Sequence, residues 1–250
     1  MDTSDNKRKK YLDLDAIEKH IGQLPMLPGV IDKLMQLNTD SETFFEAVFR
    51  LARTDPPLAC LILSHANSAT SAPSHPIYDL REALTRIGSE TVVKLVTDVS
   101  VGKVFMPSTD AERSLWTHSV NVASQVELRC QQKDSKIPPE LGYICGLLHD
   151  LGRFILLQFS PETINQAAAA GWEILDDLPK AEFELIGTTH AQIGYIAARK
   201  LNLPKIICSL IKHHHDAALA ESPKAPERFK LLVSFTREAL NSNPNTVMNT

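Results

Sequence analysis

The sequence predicts an all-α fold, and two observations carry this prediction. Apolar residues recur at spacings of three and four along nearly all of the 250 residues, which is the period of an amphipathic helix. The chain has 10 glycines and 15 prolines, few enough to leave long helices intact, and most prolines stand where a helix would start. With 43% apolar residues, the chain is expected to bury a sizeable core.

Short helices are expected in the N-terminal part of the chain. Pro28 fits the first turn of one helix, and Thr39 with Glu42 has the spacing of a capping box for the next. Asp55 followed by Pro56 marks a helix start, because the carboxylate can accept an amide hydrogen bond there. The valines within residues 89–104 also suit a strand, but their helical spacing favours a helix. The expected helices cover residues 24–37, 39–53, 56–66, 79–87 (with Gly88 as its stop) and 89–104.

Longer helices are expected in the second half. Residues 107–110 form the best internal boundary, and Thr109 with Glu112 gives another capping box. The expected helices cover residues 111–132, 139–152, 161–170, 180–201, 204–215 and 226–240. The predicted organisation is a polar tail and first helix (1–19), an N-terminal helical subdomain (20–107), a second helical subdomain (108–240) and a flexible tail (241–250).

Composition and charge argue against several functional classes. The formal net charge of -4 gives no reason to expect a nucleic-acid or membrane partner, and the basic run at residues 7–10 is interpreted as part of a solvated tail. No apolar run approaches the ~20 residues that a bilayer span needs. Residues 1–10 lack the apolar segment of a secretory signal, so a cytoplasmic location is expected. The 4 cysteines are scattered and are expected to be reduced, buried thiols.

Histidine is concentrated in the second half of the chain. His118, the dyad His149-Asp150, His190 and the run 213–215 offer imidazole and carboxylate groups, which are ligands for iron, manganese, zinc and similar divalent metals. The dyad closes an apolar helix, where a buried carboxylate needs a metal or a cation beside it. A single histidine is more often a packed or hydrogen-bonding side chain, and a triple histidine at a helix end can simply be solvated. The metal hypothesis therefore depends on the whole set in order.

In this order the residues resemble the metal site of the HD superfamily of metal-dependent phosphohydrolases, and their surroundings resemble its HDOD branch. The similarity covers about residues 20–220. The segments that carry it are Leu24-Pro-Met-Leu-Pro28, Asp55-Pro-Pro-Leu58, Ala66-Asn-Ser-Ala69, Ala83-Leu-Thr-Arg-Ile-Gly88, Gly146-Leu-Leu-His-Asp-Leu-Gly-Arg153 and Leu203-Pro204 before His213-His214.

The resemblance implies an HD-domain-like helical bundle with an additional N-terminal helical subdomain. It also implies a bacterial signal-transduction role in a family regarded as regulatory, whose enzymatic activity is unestablished. Matched by position, the implied metal ligands are His118, His149, Asp150, His190, His213 and His214.

Two departures separate the chain from catalytic relatives. HD phosphohydrolases carry a final Asp on a later helix, where this chain has Thr236; water or a carboxylate such as Glu184 can take its place. Cyclic-di-GMP phosphodiesterases carry Gly-Tyr-Pro soon after the paired histidines, whereas residues 215–220 here read His-Asp-Ala-Ala-Leu-Ala. Cleavage of cyclic-di-GMP is therefore not expected.

Three functions follow from these observations. The favoured hypothesis is a non-catalytic regulatory protein that binds signalling partner proteins and holds a divalent metal. The second is a metal-dependent phosphohydrolase acting on a phosphoester or nucleotide. In it, His149 and Asp150 anchor the metals and Arg153 or Lys212 binds a phosphate oxygen, although Arg153 can also be read as a cation near a helix C-terminus. The third is a module that binds a small phosphorylated ligand without cleaving it.

Overall fold

The computed structural model describes residues 24–100, 105–132, 135–169 and 177–242. Within these ranges the regular structure is helical and no strand occurs, so the predicted all-α fold is confirmed. The predicted tail and first helix at 1–19 lie outside the described residues, as does most of the predicted tail at 241–250. No helix among the described residues is both long enough and apolar enough to cross a bilayer.

The N-terminal helices follow the prolines. They are α1 (Pro28–Met35), α2 (Phe44–Thr54), α3 (Pro56–Ala66) and α4 (Leu80–Ser100). Gly88, with φ 75° and ψ 164°, is not helical and divides α4 into two helical segments, so the predicted stop at Gly88 is confirmed. The valine-rich segment after it is helical as far as it is described. The capping box predicted at Thr39 and Glu42 is wrong. α2 begins later, at Phe44, because residues 38–41 form a separate turn in which the backbone N–H of Ser41 donates to the carbonyl of Asn38.

The start of α3 is confirmed and also anchors a helix of the second half. One oxygen of the fully buried Asp55 carboxylate accepts the backbone N–H of Leu58 over 2.8 Å. The other accepts the indole N–H of Trp116 over 2.9 Å. Burial raises the pKa of Asp55 to about 6, since no cation is among its hydrogen-bond partners. The N-cap of α3 therefore also holds Trp116 in place.

The second half contains the longer helices. They are α5 (Asp110–Cys130), α6 (Pro139–Leu148), α7 (Leu151–Phe159), α8 (Pro161–Ala169), α9 (Asp177–Ile186), α10 (His190–Lys200), α11 (Lys205–His213), α12 (Ala217–Ala220) and α13 (Glu227–Ser242). The capping box at Thr109 and Glu112 is confirmed at the start of α5. The short α12 was not predicted from the sequence.

Two helices predicted as continuous are interrupted, one at the predicted site residues His149 and Asp150 and the other directly before the predicted site residue His190. The helix predicted over 139–152 breaks at His149 and Asp150, which join α6 to α7. The helix predicted over 180–201 breaks at 187–189, because Gly187 has φ 74° and the side chain of Thr189 caps α10. Both corrections place site residues at helix ends.

The helices around the site pack with unusually close backbones. A Cβ atom built on Gly152 of α7 would lie 1.9 Å from the carbonyl oxygen of His190 and 2.8 Å from the backbone nitrogen of Gly194. Only glycine at 152 permits this approach of α7 to α10. One connected set of buried apolar side chains runs through both the N-terminal and the C-terminal helices. The division into subdomains at residues 107–108 stays a prediction.

Candidate metal centre

Five buried side chains meet where several helices begin or end. His149 and Asp150 join α6 to α7, His190 is the first residue of α10, His214 directly follows α11, and His118 lies within α5. None of the five is more than 5% exposed. The structure therefore brings together imidazoles from four separate parts of the chain around one carboxylate.

The carboxylate of Asp150 lies at the centre of this cluster. Its Oδ1 atom is 3.3 Å from Nε2 of His190 and 3.6 Å from Nε2 of His214. Its Oδ2 atom is 3.5 Å from Nε2 of His149 and 3.7 Å from Nε2 of His118. Each oxygen thus faces two imidazoles, and all four imidazoles present Nε2.

Hydrogen bonds on the far side of three rings fix their tautomers. His149 and His214 each donate Nδ1–H to the backbone carbonyl three residues earlier, over 2.7 and 2.8 Å. His190 donates Nδ1–H to Oε2 of Glu182 over 2.6 Å. A neutral imidazole carries only one N–H, so Nε2 of each ring keeps its lone pair toward the centre. This is the arrangement found behind metal-binding histidines.

The Nε2 lone pairs of His190 and His214 point at one another at a distance that favours a cation between them. Nε2 of His190 is 3.1 Å from Nε2 of His214 and 3.1 Å from Nε2 of His215. Nε2 of His149 is buried without a hydrogen-bond partner. The donor atoms of His118, His149 and Asp150 lie within 4.8 Å of one another. The donor atoms of His190, His214 and His215 also lie within 4.8 Å of one another. These residues fit a divalent metal, because imidazole and carboxylate are its usual ligands.

The electrostatics of the cluster keep most of its histidines neutral. Burial lowers the pKa of His118 to about 3, and it also lowers the pKa of His149 and of His214. Burial opposes ionisation of Asp150, but the neighbouring His149, His190 and Arg153 outweigh it and hold the pKa of Asp150 well below its usual value. Neutral imidazoles around an ionised carboxylate are in the protonation states that metal ligands need.

His190 differs from the other histidines. Burial alone would lower its pKa, but the adjacent Glu182 carboxylate outweighs burial and raises the pKa of His190. The same contact lowers the pKa of Glu182 in spite of the burial of that carboxylate. The Glu182–His190 contact is thus strongly polar and shielded from water.

The structure places the three histidines of the run in different surroundings. The His213 side chain is 34% exposed, and its Nδ1 atom lies 3.6 Å from Oδ2 of Asp216, away from the cluster. His215, which the sequence interpretation left out, contacts His190 instead. The reason is geometric: α11 ends at His213, so the chain turns after it and directs the next two rings inward.

The two phosphate-binding candidates lie in different environments. Arg153 is 2% exposed, and its Nη1 atom is 3.3 Å from Oδ2 of Asp150, so it borders the cluster. Lys212 is exposed, with Nζ 5.0 Å from the ring centre of Tyr195. The structure therefore brings Arg153 to the cluster and leaves Lys212 on the surface.

Sequence reasoning missed Glu182. It considered Glu184 as a substitute carboxylate, but Glu184 is exposed, whereas Glu182 is 1% exposed and bonds to His190. The readable signal was the spacing of Leu178, Glu182 and Ile186, which places a carboxylate on the buried face of α9.

Thr236 supplies no carboxylate where the final Asp of HD phosphohydrolases was expected. Its side chain is fully buried, and its hydroxyl donates to the carbonyl of Leu232 in its own helix over 2.8 Å. The hydroxyl is thereby satisfied within α13.

Comparison with known proteins places the chain among related sequences and folds. The sequence model of the HDOD domain matches residues 24–217. An uncharacterized protein of Treponema pallidum (strain Nichols) is 26% identical over 222 residues, which are 88% of this chain but only 42% of that protein. This chain thus spans about two-fifths of the length of that relative.

Two solved structures share the fold. The MmoQ response regulator from Methylococcus capsulatus str. Bath matches with a TM-score of 0.70 at 20% identity, covering 88% of this chain and 85% of that one. A virulence factor from Campylobacter jejuni subsp. jejuni matches with a TM-score of 0.70 at 19% identity, covering 91% of this chain and 82% of that one. At such identities the likeness concerns the fold alone.

Proposed function

Since this chain belongs to the HDOD family, we propose that it is a bacterial signal-transduction domain that holds a divalent metal in a closed centre and acts by binding partner proteins. The observation that carries the proposal is the convergence of four imidazole Nε2 atoms on the buried Asp150 carboxylate, none of these five residues being more than 5% exposed. The response-regulator description of MmoQ, a protein of the same fold, agrees with a signalling role.

Iron, manganese and zinc are the metals that suit this ligand set, because imidazole and carboxylate donors bind all three. When bound, such an ion supplies a fixed positive charge among the lone pairs. His118, His149, Asp150, His190, His214 and His215 are the residues we expect to hold it. His213 is excluded from this set by its position on the surface.

The closed surroundings favour a regulatory role over hydrolysis. Structural metal sites are surrounded by protein ligands, whereas catalytic sites keep a position open for water or substrate. Arg153, which would have to bind a phosphate oxygen, is only 2% exposed and already engages Asp150. A phosphoester would have to enter a buried cluster and displace this contact.

The alternative is a metal-dependent phosphohydrolase, and one observation favours it. Each oxygen of Asp150 faces a different pair of imidazoles, an arrangement that suits a carboxylate bridging two ions. Two-ion centres commonly serve phosphoester hydrolysis. In that case His149 and Asp150 would anchor the ions, and Arg153 would face the phosphate.

Elemental analysis of the untagged, purified protein tests the metal centre. The comparison is between the wild type, the double variant His149→Ala/Asp150→Ala and the control His213→Ala. We expect stoichiometric metal in the wild type and in the control, because His213 lies outside the cluster, and none in the double variant. Equal metal in all three proteins would refute the assigned centre.

A screen of phosphoesters separates the two functions. The wild type, loaded with iron, manganese or zinc, is expected to hydrolyse no substrate faster than the double variant does. Turnover that is present in the wild type and lost in the double variant would refute the non-catalytic assignment and support the alternative.

A further inference from the structure

Glu182 makes two hydrogen bonds to the same residue at the start of α10. Its Oε2 atom accepts the backbone N–H of His190 over 2.8 Å and the ring Nδ1–H of His190 over 2.6 Å. The glutamate is 1% exposed and the histidine is fully buried. The first N–H groups of a helix have no partner within the helix, so this carboxylate satisfies one of them while it holds the ring.

The cluster offers an internal comparison for this contact. His149 and His214 are held through Nδ1 by neutral carbonyls of their own helices, whereas His190 is held by a charged group from another helix. A backbone carbonyl three residues away is supplied by the local chain in any case. The contact from α9, by contrast, requires a carboxylate at position 182. Gly187 forms the turn between α9 and α10 that brings His190 back to Glu182.

The position of His190 makes its orientation decisive for the cluster. Its Nε2 atom faces Oδ1 of Asp150 at 3.3 Å and the Nε2 atoms of His214 and His215 at 3.1 Å each. A ring flip, or the other tautomer, would place an N–H or a carbon where these atoms meet.

We propose that Glu182 is a positioning residue, which fixes His190 in the Nδ1–H tautomer and makes its Nε2 atom a stronger metal donor. This inference rests on the metal centre proposed above. A carboxylate behind a metal-binding histidine typically accounts for about 10–100-fold in metal affinity. Its charge and its hydrogen-bonding geometry both contribute, and two variants separate them.

Glu182→Gln keeps an oxygen that can accept both N–H groups but removes the charge. Glu182→Ala removes the acceptor as well. We expect the affinity for Zn²⁺, measured by competition with a chromophoric chelator, to fall about 10-fold in the glutamine variant and toward 100-fold in the alanine variant. Glu184→Gln is the matched control: the same change, two residues away on α9, at an exposed position, with no change in affinity expected.

A measurement on metal-free protein tests Glu182 independently of the metal. Long-range proton–nitrogen NMR correlations report the tautomer of each histidine ring. The Nδ1–H form of His190 is expected in the wild type, in Glu182→Gln and in Glu184→Gln, and a tautomer mixture is expected in Glu182→Ala. Circular dichroism shows whether each variant is folded. If the alanine variant is not, the Zn²⁺ affinity of the glutamine variant against that of Glu184→Gln carries the test.

The outcomes separate this proposal from the proposed function. A wild type that binds no metal refutes the metal centre, and the tautomer of His190 then decides the role of Glu182. An unchanged His190 tautomer in folded Glu182→Ala overturns the positioning role. Unchanged Zn²⁺ affinity in both Glu182 variants overturns the role as a donor-strengthening residue, while a loss in both with none in Glu184→Gln supports it.

Discussion

Substitution of Gly152 by alanine tests whether the close approach of α7 and α10 builds the candidate metal centre. Asp150 lies two residues before Gly152, and His190 supplies the carbonyl that the new methyl group would meet. The clash therefore falls between two elements of the cluster. Because the obstacle is helix backbone, no side-chain rotation can relieve it.

The magnitude follows from the distances. A Cβ at 152 would lie 1.9 Å from the His190 oxygen, so the helices must separate by roughly 1.5 Å to reach an ordinary contact. Inserting a methyl group into a well-packed core typically costs about 1–3 kcal/mol, and more where the surroundings cannot adjust. We expect Gly152→Ala to lower the free energy of unfolding by at least about 3 kcal/mol. The same separation moves His190 away from Asp150, so metal retention is lost as well.

Urea unfolding followed by circular dichroism measures the stability, and elemental analysis measures the metal. The matched control is Gly29→Ala in α1, where an added Cβ meets nothing within 4 Å and the backbone is helical. That change is expected to stabilise the protein by about 0.4–1 kcal/mol, since alanine has less unfolded-state freedom to lose. If Gly152→Ala unfolds within 1 kcal/mol of the wild type and retains its metal, the reasoning from the Gly152 contact is refuted.

Three further predictions concern stability. Burial raises the pKa of Asp55 from 3.8, its value in the unfolded chain, to about 6 in the folded protein, so the folded state binds this proton more tightly. About 3 kcal/mol of stability, fully present below pH 3.8, is therefore lost as the pH rises through 6. Trp116→Phe removes a hydrogen bond to the carboxylate and raises that pKa further, so in urea unfolding it should destabilise more at pH 8 than at pH 5; equal effects would contradict this. The paired hydrogen bonds of 3.2 and 2.8 Å from Arg53 to Glu127 should give a coupling of about 1 kcal/mol in a double-mutant cycle, falling with added salt; no coupling would mean that the pair does not join α2 to α5. Chelation should lower the melting temperature of the wild type but not of the double variant, by the equivalent of about 2.7 kcal/mol if free metal was at 100 times its Kd; an equal drop in both would place the metal elsewhere.

Local signals in the sequence were sufficient for much of the fold. The helix starts at Asp55 and Thr109 depend on side chains that bond to backbone N–H groups three residues on, so four-residue patterns contain the whole interaction. The same reasoning failed at Thr39, where a competing turn before Phe44 forms. The dyad His149-Asp150 was read as closing an apolar helix, but the end was placed at residue 152 and not at Leu148, because apolar residues resume at once at Leu151, where α7 begins.

The histidines of the candidate site show more clearly what a local sequence pattern cannot predict. Neighbouring helical residues point about 100° apart, so in a run of three histidines the inward pair depends on where the helix ends. α11 ends at His213, whereas the sequence pattern predicted a helix to residue 215, so the inward pair was not identified. Glu182 could have been predicted from the sequence, because its four-residue spacing from the apolar Leu178 and Ile186 places its carboxylate on the buried face of α9.

A closed metal centre can transmit a signal without hydrolysis. The candidate ligands come from α5, from the α6–α7 junction, from α10 and from the end of α11, so an ion bound among them would join these segments directly. On α5, His118 lies two residues from Trp116, whose indole bonds to Asp55 in the N-terminal part. Loss of the ion would release helices that contact both halves of the chain. If binding of the ion and binding of a partner are coupled through these helices, each changes the affinity for the other by the same factor. A partner that prefers the metal-bound arrangement would therefore tighten metal binding by the same factor by which the metal tightens binding of the partner.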